Sequence, residues 1–127
     1  MQKKESLSQL SHLRAKLRAL LKELRLTLQV AFKRTPLLKG NVYELARKCG
    51  KAHCTCTRGE LHRSMVLSWS EEGKTRLWSI PRERVLEVKG KSEEYLRFRR
   101  GRARVSEICR EIIVVLDQIE KLRREER

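Results

Sequence analysis

The first quarter of the chain carries an apolar repeat that constrains its fold more than any other feature. Apolar residues recur at alternating intervals of three and four, and no glycine or proline interrupts them before Pro36. These positions are Leu10, Leu13, Leu17, Leu20, Leu24, Leu28 and Ala31. This spacing predicts a long α-helix, spanning about Lys4 to Lys33, that packs one stripe against a partner helix. Thr35 precedes proline and leans away from helical torsions, so the helix should end there.

A second stripe predicts another long helix over about residues 82–125. Pro81 stands at its start, where the missing N–H costs nothing. Gly90 and Gly101 lie inside it and indicate a kink or a break. Because this helix is longer than the first, we expect part of its stripe to overhang and to bind a partner. The overhanging positions would be Val105, Ile108, Ile112, Val115 and Ile119.

The segment between the helices is typical of a small β structure. Residues 65–69 and 75–80 are rich in branched and aromatic side chains, and a polar loop containing Gly73 joins them. Residues 41–47 suit either a strand or a short helix, of which we favour the strand. We therefore predict a mainly α fold with a small β insert. Two long helices (1–34 and 82–127) would form an antiparallel coiled-coil stem that flanks a zinc-knuckle-like hairpin module (35–81), all as one structural unit.

A cluster of thiols and imidazoles lies within the predicted insert. Cys49, Cys54, Cys56 and His62 provide four of the donor types that a tetrahedral zinc ion binds. Glycines at both ends of the cluster would permit the tight turns that such a site needs. His53 is the rival fourth ligand, although neighbouring side chains of an extended chain point apart. The alternative is that the cysteines are reduced and act as small apolar residues.

The order of residues in and after this cluster forms a motif. It comprises Cys49-Gly50-Lys51, Cys54-x-Cys56, Gly59 and His62, then an aromatic strand, a Gly-Lys hairpin, Ile80-Pro81 and Tyr95-x-x-Phe98. The motif resembles an uncharacterised family of small domains from bacteria, archaea and phages, associated with mobile elements, whose pattern is roughly C-G-K-x2-C-x-C-x2-G-x2-H-G-P-Y. The resemblance covers about residues 37–100 and implies that the three cysteines and His62, but not His53, are motif positions. Residues 63–65 depart from the family's Gly-Pro-Tyr, so a binding turn shaped by that tripeptide would differ here.

The net charge of +15 and the pI of about 10.4 predict a polyanionic partner. Arginine forks match the geometry of phosphate groups. Nine basic residues are the candidate phosphate contacts, namely Lys48, Lys51, Arg58, Arg63, Arg97, Arg99, Arg100, Arg102 and Arg104. No nucleophile–base–acid order or phosphate loop is present, and His12 lacks a catalytic partner in the sequence, so we expect no enzymatic activity and no small-molecule substrate.

These features together give the expected function and location. The start of the chain is charged and lacks an apolar core of the signal-peptide type, and no apolar run could span a membrane, so we expect a cytoplasmic protein. We expect a non-enzymatic accessory protein of a mobile-element, phage or defence system, with a structural zinc ion, that binds DNA or RNA as a homodimer or with a helical protein partner. The alternative is a coiled-coil adaptor or an oligomeric subunit of a larger complex.

Overall fold

The computed structural model describes residues 2–48, 50–54 and 58–125. Its elements follow the order α1 (Gln2–Thr27), β1 (Asn41–Arg47), β2 (His62–Glu71), β3 (Lys74–Ser79) and α2 (Val85–Arg123). The prediction of a mainly helical fold with two long helices and a small β insert is confirmed. Residue contacts divide the chain into two compact units, which we name the helical unit (Met1–Lys33 with Phe98–Arg127) and the sheet unit (Arg34–Arg97).

Helix α1 ends earlier than its apolar repeat predicts. The α-helix ends at Thr27, and Leu28–Ala31 form a 3-10 turn. The Thr27 hydroxyl donates a hydrogen bond of 2.8 Å to the Glu23 carbonyl one turn back. Such a bond competes with the regular helical ladder, which explains a change of geometry at this position.

Helix α2 follows a 3-10 turn at Arg82–Arg84 and is unbroken through both of its glycines. The break indicated by Gly90 and Gly101 is therefore absent. Gly101 is buried, and a Cβ atom at this position would lie 2.8 Å from Cγ2 of Val30. Because Gly101 has no side chain, α2 can lie close to Val30 in the 3-10 turn that follows α1. At Gly90 a Cβ would meet nothing within 4 Å.

The three strands form one antiparallel sheet in the order β1-β2-β3. The predicted strand at residues 41–47 is present, and it pairs with the first half of the hairpin. Glu72 and Gly73 connect β2 to β3 with φ angles of 51° and 76°. Two consecutive positive φ values are what a type I′ hairpin turn requires, and glycine adopts them without steric cost.

One face of the sheet packs against the start of α2 to form the core of the sheet unit. The buried residues are Leu67, Ile80 and Val88, and they are surrounded by half-buried side chains of all three strands. The buried Ser92 hydroxyl donates a 2.6 Å hydrogen bond to the Gly40 carbonyl. The Leu38 N–H also donates to the Lys91 carbonyl, at 3.2 Å. These two bonds fix the segment before β1 to α2.

The helical unit has a separate core between α1 and the later part of α2. Leu20, Ile108 and Val115 are buried there, and their neighbours are the half-buried Leu13, Leu17, Leu24, Ile112 and Ile119. Val30 lies beside Gly101, whereas the start of α1 shares a cleft with the end of α2, so the two segments are antiparallel. The expected overhang of the stripe from Val105 to Ile119 is wrong, because α1 covers it; the part of α2 outside the helical unit packs on the sheet instead. No helix in the described part of the chain is both long enough and apolar enough to cross a bilayer.

Candidate functional site

Two of the four predicted zinc ligands lie next to each other. Cys54 ends a tight turn in which its N–H donates to the Lys51 carbonyl at 3.3 Å. His62 is the first residue of β2. The Cys54 Sγ and His62 Nε2 atoms are 2.9 Å apart, although the residues are eight positions apart in the chain.

The chemistry of this pair fits a zinc site. Tetrahedral zinc holds a sulfur and a nitrogen donor about 3.6 Å apart, as its usual bond lengths and angles require. Opening the Cys54–His62 distance by less than about 1 Å would therefore admit the ion. Cys49 and Cys56 lie outside the described residues, and among the described ones no group of three or more potential ligands is formed. His53 is exposed and makes no hydrogen bond to any residue that the structure describes. A thiol beside an imidazole also suits an activated nucleophile, which metal analysis distinguishes from a zinc site.

A basic groove lies at the same end of the sheet. It encloses about 550 Å³ and is lined by Arg47, Lys48, His62, Ser64 and Ser79. Arg47 pairs with His62 in the sheet, and Ser64 follows His62 by two residues, so these side chains share one face. Among the described residues, every lining side chain can donate a hydrogen bond and none is a carboxylate. Such a groove can bind an anion.

Only Lys48 and His62 of this groove were predicted site residues. Arg47, Ser64 and Ser79 were not predicted as site residues. The alternation of side chains along β2 would have placed residues 62 and 64 on one face. Their neighbours from β1 and β3, however, depend on the strand register.

The other predicted phosphate contacts of the sheet unit differ in their surroundings. Lys51 and Arg58 are exposed, and neither has an ion-pair partner in the described part of the chain. The Arg63 guanidinium donates to the Glu44 carboxylate at 3.3 Å, and both side chains are mostly exposed. A solvated pair of this kind is weak, so Arg63 can exchange its partner at little cost.

The five arginines of residues 97–104 separate into two groups. Arg97 donates to Glu94, one turn earlier on α2. Arg104 is half-buried and bonds to Glu23 and Glu107, with Glu111 at 3.6 Å. The hydrogen bonds that Arg104 donates to Glu23 lower the pKa of the Glu23 carboxyl and raise the pKa of Arg104. Arg104 therefore joins the two helices.

The second group comprises Arg99, Arg100 and Arg102. All three are exposed, and in the described part of the chain no carboxylate lies within ion-pair distance of them. Their charges are therefore available to an external anion.

The chain belongs to the family described as a domain of unknown function, DUF6788, which matches residues 7–90. The match includes most of α1, all three strands and the start of α2. The comparisons with curated proteins and with solved structures gave no match. An uncharacterised domain family was predicted from the motif, and this part of the prediction is confirmed.

Proposed function

We propose that the protein is a non-enzymatic nucleic-acid-binding accessory protein. The observation that carries the proposal is the group of three exposed arginines at positions 99, 100 and 102, which have no ion-pair partner among the described residues. Arg99 and Arg102 are three positions apart on α2, and like charges at this spacing repel one another and reduce helix stability. A phosphate backbone offsets that repulsion, because it neutralises the arginines and releases its own condensed counterions.

The groove of the sheet unit supports the same proposal independently. Its guanidinium, ammonium and hydroxyl groups are the donors that hold phosphate and sugar oxygens in protein–nucleic acid complexes. Lys51 and Arg58 add two exposed cations to this unit, and neither forms an ion pair with a residue that the structure describes. Contacts of this kind position a backbone without reading its sequence.

The proposal includes a structural zinc ion. Its ligands would be Cys54 and His62, together with Cys49 and Cys56. The support is the proximity of Cys54 to His62 and the soft donor chemistry of the set. Bound zinc would fix the segment between β1 and β2, and with it the His62 side of the groove. The proposal also includes coiled-coil packing of α1 on α2 and a setting in a mobile element, phage or defence system; the gene neighbourhood of family members tests that setting.

Salt-dependent binding tests the phosphate contacts. Fluorescence anisotropy with a labelled duplex of about 20 base pairs, and with a structured RNA, should give an affinity that falls steeply between about 50 and 200 mM salt. Replacing Arg99, Arg100 and Arg102 with Gln should weaken binding and reduce the log–log salt slope by about 1 for each lost contact.

A charge-matched variant provides the control. Arg110, Lys121 and Arg123 lie on the same helix among acidic residues. Changing these three to Gln removes the same net charge and should alter the slope much less. Equal losses in the two triple variants would mean that only net charge matters, and no binding at low salt would overturn the proposal.

Metal analysis tests the zinc ion. Protein purified without chelator should contain one zinc per chain, and Cys54→Ala or His62→Ala should lose it, whereas His53→Ala should retain it. Removing the metal should loosen the sheet unit while helical circular dichroism from the helical unit persists. Absence of stoichiometric zinc in the unmodified protein would contradict this part of the proposal.

A second candidate function is assembly through the helical unit. Three leucines of α1 and the 3-10 turn after it are exposed, namely Leu7, Leu21 and Leu28. They are separated by multiples of seven residues, so they lie on nearly the same side of the helix. Ile113 and Leu116 of α2 are exposed as well. Such apolar surface favours a homodimer or a helical partner. Sedimentation should then show a dimer that Leu21→Glu dissociates, and a wild-type monomer without a helical partner would exclude this candidate.

A further inference from the structure

The two tryptophans of the chain lie on neighbouring strands and share one pocket. Trp78 of β3 lies directly opposite Leu67 of β2, and Trp69 follows Leu67 by two residues. Both indoles are therefore on the same face of the sheet. They line a cavity of about 410 Å³ together with Leu38 and Leu67. Its size is at the lower end of the range for pockets that bind small organic groups.

Core packing accounts for only part of the indole surface. Both rings pack against the buried cluster of Leu67, Ile80 and Val88, yet both remain partly exposed. Trp69 Nε1 donates to the Glu71 carboxylate at 3.3 Å, which satisfies the polar edge of that ring and orients it. The Arg84 guanidinium lies 5.2 Å from the Trp78 ring centroid, so a cation already contacts this π system. The cavity therefore offers oriented aromatic surface that the protein itself does not fill.

Cations surround this aromatic surface. Lys39 lines the cavity and is held there by a 3.0 Å hydrogen bond from its Nζ to the Ser70 carbonyl. Arg76 stands directly opposite Trp69 in the sheet. Its guanidinium is 3.9 Å from Glu71, and both side chains are about half exposed, so the pair is weak. Aromatic rings that accept a base, next to cations that accept a phosphate, are how proteins hold single-stranded nucleic acid.

We propose that this pocket holds an unpaired base of single-stranded RNA or DNA, stacked on the Trp69 indole, with the adjoining phosphate on Lys39 or Arg76. The inference rests on the proposed function and specifies which form of nucleic acid the sheet unit recognises. The pocket is on the opposite face of the sheet from the basic groove, because Trp69 and Ser64 differ by an odd number of positions along β2. The two sites can therefore be altered separately.

Intrinsic fluorescence reports on this pocket directly, since the chain has 2 tryptophans and both line it. A single-stranded oligonucleotide should quench the emission saturably, and a blunt duplex of equal length should quench it much less. Trp69→Leu should weaken single-strand binding by about 5- to 100-fold, the range expected for one stacked base. Trp69→Phe keeps a stacking ring and should retain most of the affinity. Circular dichroism verifies that both variants are folded.

A groove variant separates the inference from the function on which it rests. Arg47→Gln with Lys48→Gln should weaken single-strand and duplex binding alike, while quenching at saturation stays at the wild-type level. The base pocket would be overturned, and the proposed function left intact, by two results together. The protein would bind duplex and single strand without tryptophan quenching, and Trp69→Leu would bind with unchanged affinity. Failure to bind any nucleic acid would overturn both. Quenching by an aromatic or proline-rich peptide but by no oligonucleotide would assign the pocket to a peptide instead.

Discussion

Arg104 of α2 holds Glu23 of α1 through two parallel hydrogen bonds. The guanidinium Nε donates to Oε1 at 2.6 Å and Nη2 donates to Oε2 at 2.9 Å. The two residues are 81 positions apart in the chain. A two-bond fork fixes direction as well as distance, so this pair sets the register between the helices of the helical unit. The presence of Arg104 in the arginine cluster at residues 97–104 is therefore explained by its role in folding and not by a ligand.

Replacing Arg104 should reveal this structural role. Arg104→Gln should lower the midpoint of thermal unfolding more than Arg100→Gln does, because Arg104 has carboxylate partners and Arg100 has none among the described residues. Arg104→Lys should restore little, since an ammonium cannot form the fork. In a double-mutant cycle with Glu23→Gln, the two losses should be less than additive. Additive losses would show that the pair is not coupled in solution.

Acidification should weaken the fold through the same carboxylate. The hydrogen bond from Arg104 lowers the pKa of Glu23 below its ordinary value of 4.5. A depressed pKa in the folded state contributes stability above the unfolded value, and that stability is lost as the pH falls through the folded value. The free energy of unfolding, measured in urea, should therefore decline below about pH 4.5. Hydrogen bonds from Lys91 and Arg84 lower the pKa of Glu87, which adds the same trend in the sheet unit.

Glutamine variants identify the groups responsible for this pH dependence. Glu23→Gln and Glu87→Gln cannot titrate at these positions, so each should flatten the acid limb of the stability profile and reduce stability at neutral pH. An unchanged acid limb in both variants would assign the acid sensitivity to other carboxylates.

The two glycines of α2 should respond to alanine in opposite directions. Gly90→Ala meets open space and gains helix propensity, so the protein should become more stable by about 0.5–1 kcal/mol. Gly101→Ala places a Cβ against Val30, a stiff β-branched side chain, and overpacking of this kind costs about 1–3 kcal/mol. The clash should exceed the propensity gain, and chemical denaturation should show a net loss.

Val30→Ala in the Gly101→Ala background tests the source of that loss. Removing the two methyl groups that Cβ would meet should recover part of the stability. If Gly101→Ala stabilised the protein as much as Gly90→Ala does, the helices would separate easily at this point.

Ser92 should be more important for stability than an ordinary helical serine. It is 3% exposed, and its hydroxyl donates to the Gly40 carbonyl. Ser92→Ala leaves that carbonyl without its buried donor and should cost about 1–3 kcal/mol, measured by chemical denaturation. Ser11→Ala on the exposed side of α1 is the matched control, and it should be neutral or slightly stabilising.

Periodicity in the sequence determined the two helices, the hairpin and the sides that they bury. The intervals between Leu10 and Leu24 required a helix with one apolar side, and the polar loop at Gly73 required a turn between two strands. The clustering of thiols and imidazoles within residues 49–62 also predicted Cys54 and His62 as candidates, because a short segment limits how far apart its side chains can lie. These features depend on interactions over a few residues, which the order of the amino acids specifies directly.

Tertiary structure decided which distant residues meet. The length of α2 suggested an overhang for its stripe, but its first turns pack on the sheet and α1 covers the rest. The sequence shows the charge of Arg104 but not its pairing with Glu23. That pairing depends on the register between the two helices, which is set by the fit of their whole surfaces. The same holds for Gly101 against Val30 and for the groove that brings Arg47 and Ser79 together. A periodic pattern gives the direction in which a side chain points, and only packing determines what it touches.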